Sequence, residues 1–360
     1  MAGKGYKRLV RSTKFWAIAC GLSLILLAIG SHFPAFIDSV YHRVIFRWIR
    51  LAYDYTLGLL PFPPVYLLLL LLVWWIVRYF RKLRKGAGWK IALLKPVRFI
   101  LAAVTLFYVT WGFNYKQTPV EDQLQLGLGH IEAPDIRGEF ETTTQELGGI
   151  FGEIEALNWT IDSLLESNFR ESEVRSAVKN KLLALGLPAA GKVRGRMLSP
   201  TGTLLVWNTA GIYIPFVGEG HIDKGLLPFQ YPYVMAHEMT HGYGIADEGS
   251  CNFVAYLACR DAQNVYVRLS GVLGYWRYIA SEYRRIDPDA YAAAYEKLPP
   301  LLKASLQAIF ENNRRFPEFL PTFRYHAYDQ YLKAHGIKEG MQNYARVVRL
   351  VYAWRKKTGQ

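Results

Sequence analysis

His237, Glu238 and His241 stand in the run Val234-Met-Ala-His-Glu-Met-Thr-His-Gly-Tyr-Gly-Ile-Ala-Asp-Glu248. Residues i and i+4 of an α-helix project from nearly the same face, so two imidazoles at that spacing can grip one ion. A glutamate next to the first of them can take a proton from water activated by that ion. The spacing therefore predicts a helix-borne site for Zn2+, with His237 and His241 as ligands and Glu238 as general base.

A catalytic zinc usually has three protein ligands and one open position. Two adjacent acids compete for the third place. Asp247 lies six residues after His241 with Gly244 between them, the spacing of the metzincin peptidases, in which the glycine lets the chain turn back to the metal. Glu248 suits a second helix that begins just beyond the turn and supplies a glutamate. Asn252, one turn later on the same face, could then hydrogen-bond the free nitrogen of a ligand histidine. Asp247 would serve equally as the N-cap of that helix. Spacing alone leaves both assignments open.

The chain that must position these residues has 360 of them, enough for about two domains. Its net charge of +14 invites a nucleic-acid reading, but the charge is unevenly spread. Residues 1–115 hold 16 of the 43 Lys/Arg and, of the 29 acids, only Asp38 and Asp54. The excess thus belongs to a hydrophobic N-terminal third, which is the pattern of basic membrane flanks and excludes a basic nucleic-acid groove. Cys20, Cys251 and Cys259 do not make a disulfide framework. Cys251 and Cys259 would lie about 12 Å apart along one helix, beyond the roughly 7 Å a disulfide tolerates.

Three apolar segments are expected to span a bilayer, at about residues 15–36, 60–79 and 97–115. The first is too long for a signal peptide and shows no clear cleavage site, so it reads as an uncleaved anchor. Basic residues crowd the N-terminus and residues 78–98, whereas the first loop holds only Arg43, Arg47 and Arg50. With three spans this asymmetry predicts a cytoplasmic N-terminus and an extracytoplasmic C-terminal domain. Arg43, Arg47 and Arg50 share one helical face, as in a short helix lying in the interface. Trp111, Phe113 and Tyr115 would collar the outer end of the last span.

After a linker at residues 116–134, helices are expected near 139–157 and 161–185, and strands at 204–207 and 212–216. The chain is then mostly helical to its end. The predicted fold class is α+β: a three-helix transmembrane region over residues 1–115, then a mostly helical zincin-like domain with a small sheet over 116–360. The segment Gly211–Phe216 could be an edge strand that holds a peptide by main-chain pairing. Glu219 and His221 could line the cleft. A donor is also needed for the tetrahedral oxyanion. Tyr344, Tyr331 and His335 are the chosen candidates for this role, with His326 and Arg346 also available.

The block His237-Glu-Met-Thr-His-Gly-Tyr-Gly-Ile-Ala-Asp-Glu-Gly-Ser-Cys-Asn252 resembles the core of the gluzincin metallopeptidases. More narrowly, with Trp111–Tyr115, Pro215–Glu219, Tyr331–Lys333, Gly340 and Tyr344, the chain resembles an uncharacterised bacterial family of membrane proteins. That family has three N-terminal spans and a zincin-like domain, and is known only as a domain of unknown function. The resemblance implies Glu248 as the third ligand and Asn252 as its supporting residue. Ser250 departs from the family, where a second acid is usual, and this too favours Glu248. The expected activity is that of a multi-pass, membrane-anchored zinc metallopeptidase acting on a peptide or protein substrate, with the lipid bilayer as its other partner and no nucleic acid. The alternative is a membrane-tethered binding or sensory protein with a structural zinc. An intramembrane site is disfavoured, because Asp247, Glu248, Asn252 and Arg260 surround or follow the motif.

Overall fold

A computed structural model describes residues 2–86, 88–166 and 168–359. Its chain divides into two units: residues 1–118 with 214–218, and residues 119–213 with 219–360. Helices dominate, joined by one three-stranded sheet.

The first unit contains α1 (Ala2–Gly30), α2 (Arg47–Asp54), α3 (Val65–Arg84) and α4 (Trp89–Thr110). Among the described residues, two helical stretches are long and apolar enough to cross a membrane: Gly5–Gly30 and Trp89–Thr110, of 26 and 22 residues. At 1.5 Å per residue each exceeds the roughly 30 Å hydrocarbon core.

The expected third span does not qualify. Pro61, Pro63 and Pro64 delay α3 until Val65, so the apolar residues before it lie in a 3-10 turn and irregular chain. Arg78, Arg81, Lys82 and Arg84 then crowd its last two turns, so that it carries more charge than a spanning helix of its length tolerates. Among the described residues the candidate membrane helices therefore number two, not the three expected.

Two further expectations change in this unit. Residues Ile37–Phe46 form a π-helix that runs into α2, so the α-helical register of Arg43, Arg47 and Arg50 is lost. Arg43 and Arg47 are exposed, but Arg50 is buried; it pairs with Asp54 and donates to the Gly218 carbonyl. Trp111 and Phe113 are buried too, with Phe113 edge-on to Tyr41, instead of forming an open collar.

Among the described residues, the second unit is built from nine longer helices and the sheet. The helices are α5 (Ala133–Ala156), α6 (Glu171–Ala184), α7 (Tyr231–Gly242), α8 (Glu248–Arg260), α9 (Val265–Ile286), α10 (Pro288–Glu296), α11 (Pro300–Arg314), α12 (Pro321–Ala334) and α13 (Val347–Thr358). The strands are β1 (Gly195–Leu198), β2 (Gly211–Ile214) and β3 (Glu219–Asp223), in the order β1-β3-β2. β1 runs parallel to β3, with Gly195 opposite Gly220 and Leu198 opposite Asp223. The Asp223 amide donates to the Ala210 carbonyl, so β2 and β3 form a hairpin.

The apolar core includes α8, in which Cys251 and residues 253–259 are all buried, and the inner faces of α5, α7 and α9. The run 253–259 is apolar on every side because it is buried on every side, so it shows no amphipathic stripe. The expected strand at 204–207 is instead a 3-10 turn, Leu205–Trp207, tied down by amides donating to Asp223. The expected helix 161–185 is split into Ile161–Leu164 and α6.

Candidate metal centre

α7 begins with Pro232 in its first turn, where a missing amide proton costs nothing, and carries His237, Glu238 and His241. It stops at Tyr243, and Gly244 adopts φ +99°, a left-handed conformation that suits glycine. The chain thereby turns into α8, whose first residue is Glu248. Asp247 caps α8: its carboxylate accepts the Ser250 amide at 2.7 Å.

This turn brings three donors to one point. Glu248 Oε2 lies 3.1 Å from His237 Nε2 and 3.3 Å from His241 Nε2, and the two nitrogens are 3.2 Å apart. A tetrahedral ion with bonds of about 2.0–2.1 Å separates its ligands by about 3.3 Å. The buried group His237, His241 and Glu248 could therefore hold a metal ion. Asp247, the rival third ligand, is directed to the cap and to Arg346 Nη1 at 3.4 Å.

The outward nitrogens of both imidazoles are also held. His237 Nδ1 lies 2.8 Å from Asn252 Oδ1, and His241 Nδ1 lies 2.8 Å from the Ile245 carbonyl. Such contacts fix ring orientation and leave Nε2 for an ion. Asn252 is itself held by Tyr233, Tyr278 and the Tyr344 carbonyl.

All four motif residues are buried, with His237, Glu238, His241 and Glu248 between 4% and 7% exposed. Burial alone would raise the Glu248 carboxyl, yet the imidazoles beside it hold it well below the usual carboxylate range. Burial raises Glu238 to about 6, against the opposing pull of His237 and His241. Glu238 lies against the sheet, where Gly211 and Gly220 make room for it. A Cβ at Gly220 would sit 2.5 Å from Glu238 Cβ, and one at Gly211 would sit 2.8 Å from Glu238 Oε1. A backbone hydrogen bond from Tyr213 also reaches Glu238.

Because Gly220 faces Glu238, strand alternation turns Glu219 and His221 to the opposite face of the sheet. Glu219 there pairs with Arg196 at 2.7 Å, so neither residue lines the site. Tyr344 stacks on His237 with ring centroids 6.4 Å apart. Tyr331 and His335 meet at a tilt with ring centroids 4.4 Å apart, and Tyr331 stacks on Tyr328 at 5.8 Å. Arg346 reaches Glu121 and Asp247.

Tyr328 was not foreseen. Its hydroxyl donates to Glu248 Oε1 at 2.8 Å and accepts from Tyr344 at 3.4 Å. The one available signal was its place a helical turn before the candidate Tyr331. Asn343, which accepts the Gly249 amide at 3.0 Å, carried no signal at all.

A family model described as "Protein of unknown function (DUF3810)" matches residues 41–352. No curated protein and no solved structure matches the chain.

Proposed function

We propose, for a chain that belongs to this family of unknown function, a membrane-anchored zinc metallopeptidase of the gluzincin type. The observation that carries the reading is Glu238, buried in a glycine cradle beside three convergent donors. Two imidazoles and a carboxylate suit zinc, and a purely structural site has no use for a base at that position. Bound zinc would supply Lewis-acid polarisation of the scissile carbonyl and acidify the attacking water. Glu238 would accept the proton from that water and pass it to the leaving amine. A substrate strand could pair along β2, an outer strand of the sheet. Tyr344, beside His237, is the best-placed candidate for stabilising the oxyanion.

The rival is a structural zinc in a non-catalytic binding protein. Structural sets are closed by a fourth ligand, often cysteine. Cys251 Sγ lies 3.3 Å from His241 Nδ1, the nitrogen turned away from the donor set, so it does not close the group. This favours the catalytic reading.

If the two candidate helices are the crossings, the N-terminus and the C-terminal domain share one side of the membrane, in place of the expected opposite sides. The segment between the crossings carries Arg43, Arg47, Arg50, Arg78, Arg81, Lys82, Arg84 and Lys85, more than the N-terminus does. The positive-inside rule then places that segment in the cytoplasm and the domain outside it. Screening the purified full chain against a peptide library, with and without chelator, tests the reading. Chelator-sensitive cleavage supports it; a metal-loaded chain that cleaves no peptide contradicts it.

A further inference from the structure

The head of α8 is gripped by a segment that follows it by some eighty residues in sequence. Glu248 Oε1 accepts from Tyr328 at 2.8 Å, and the Gly249 amide donates to Asn343 at 3.0 Å. Asn252 Nδ2 donates to the Tyr344 carbonyl at 3.2 Å, and Asp247 faces Arg346 at 3.4 Å. Gly249 allows this close approach, since a Cβ there would lie 2.8 Å from both Asn343 O and Arg346 Cβ. Four positions at the start of α8 are thus each met by a residue from 328–346.

Glu248 divides its two oxygens between these neighbours. Oε2 faces the imidazoles and Oε1 faces the Tyr328 hydroxyl. We infer that Tyr328 is a positioning residue that commits Glu248 to bind metal through Oε2 alone, so that residues 321–346 form a clasp whose order is coupled to metal loading. The inference rests on the metal reading proposed above. Without the hydroxyl, Oε1 loses its partner and the carboxylate is free to rotate. A ligand's supporting hydrogen bond typically accounts for 10–100-fold in metal affinity. An ion that binds the clasped arrangement preferentially also stabilises it by mass action.

The test uses the full chain, stripped of metal and titrated with Zn2+ against a chromophoric chelator. Tyr328→Phe is expected to lower zinc affinity by about 10–100-fold, while the melting temperature of the metal-free protein changes little. Co2+ in place of zinc should show an altered visible spectrum in Tyr328→Phe, reporting a carboxylate no longer held to one oxygen. Hydrogen exchange of the wild type should slow at residues 321–346 on adding zinc. This arm decides the matter even if the variant fails to fold. Unchanged affinity and spectrum in Tyr328→Phe, or no zinc-dependent protection of 321–346 in a wild type that binds zinc, overturns this inference alone. A wild type that takes up no zinc overturns the metal reading along with it.

Discussion

Glu248 and Asp247 are neighbours, and the fold gives them opposite tasks that substitution can separate. Glu248→Ala removes the oxygen that lies 3.1 Å and 3.3 Å from the two imidazole nitrogens. It leaves a two-histidine site whose zinc affinity should fall by orders of magnitude. Asp247→Ala removes instead the cap on the Ser250 amide at 2.7 Å and a 3.4 Å contact with Arg346, which keeps its pairing with Glu121. A cap is worth about 1 kcal/mol, in a range of about 0.5–2. In a domain of this size about 1 kcal/mol corresponds to a melting temperature lower by roughly 2–4 °C. Each variant would be dialysed against micromolar chelator, its zinc measured by atomic absorption and its unfolding followed by calorimetry. Zinc lost from Glu248→Ala and kept by a slightly destabilised Asp247→Ala is the expected result. Zinc lost from Asp247→Ala and kept by Glu248→Ala would refute the reasoning and make Asp247 the ligand.

Glu238 must be ionised to accept a proton, and burial places it at about 6. Hydrolysis should therefore rise with pH through a limb centred near 6 and be lost below it, and a rate that is flat from pH 4 to 8 would contradict this. Gly220→Ala places a Cβ 2.5 Å from Glu238 Cβ, so helix and strand must separate. A displacement of about 1 Å should cut turnover by about 10²-fold with the zinc retained, and wild-type turnover in this variant would show that the cradle is dispensable. Cysteines introduced at the exposed Lys7 and Lys356 should both react with a membrane-impermeant thiol reagent on intact cells. Labelling of either one only after lysis would contradict the proposed sidedness.

The motif was legible because its spacing is local: one α-helix fixes His237, Glu238 and His241 relative to each other. The cap at Asp247 and the start of α8 at Glu248 were legible for the same reason. Tyr328 and Asn343 were not, since each reaches α8 from far along the chain and nothing in their local sequence specifies that contact. The direction of Glu219 and His221 depended on which β3 residue faces α7, and Gly220 settled it. The third span failed because hydropathy is additive along the sequence whereas a helix is not. Three prolines delayed α3, and Arg78, Arg81, Lys82 and Arg84 crowd its last turns. Residues 204–207 have the β-branched and aromatic content of a strand, but hydrogen bonds to Asp223 hold them in a turn.

The central claim is that Glu238 acts as a base beside a metal held by His237, His241 and Glu248. The most direct test compares the full-length wild type with Glu238→Gln at matched zinc content, on a peptide that the wild type cleaves. Loss of about 10²–10⁴-fold in turnover, with zinc and folding retained, is the predicted result. Equal turnover by the zinc-loaded variant would contradict the claim.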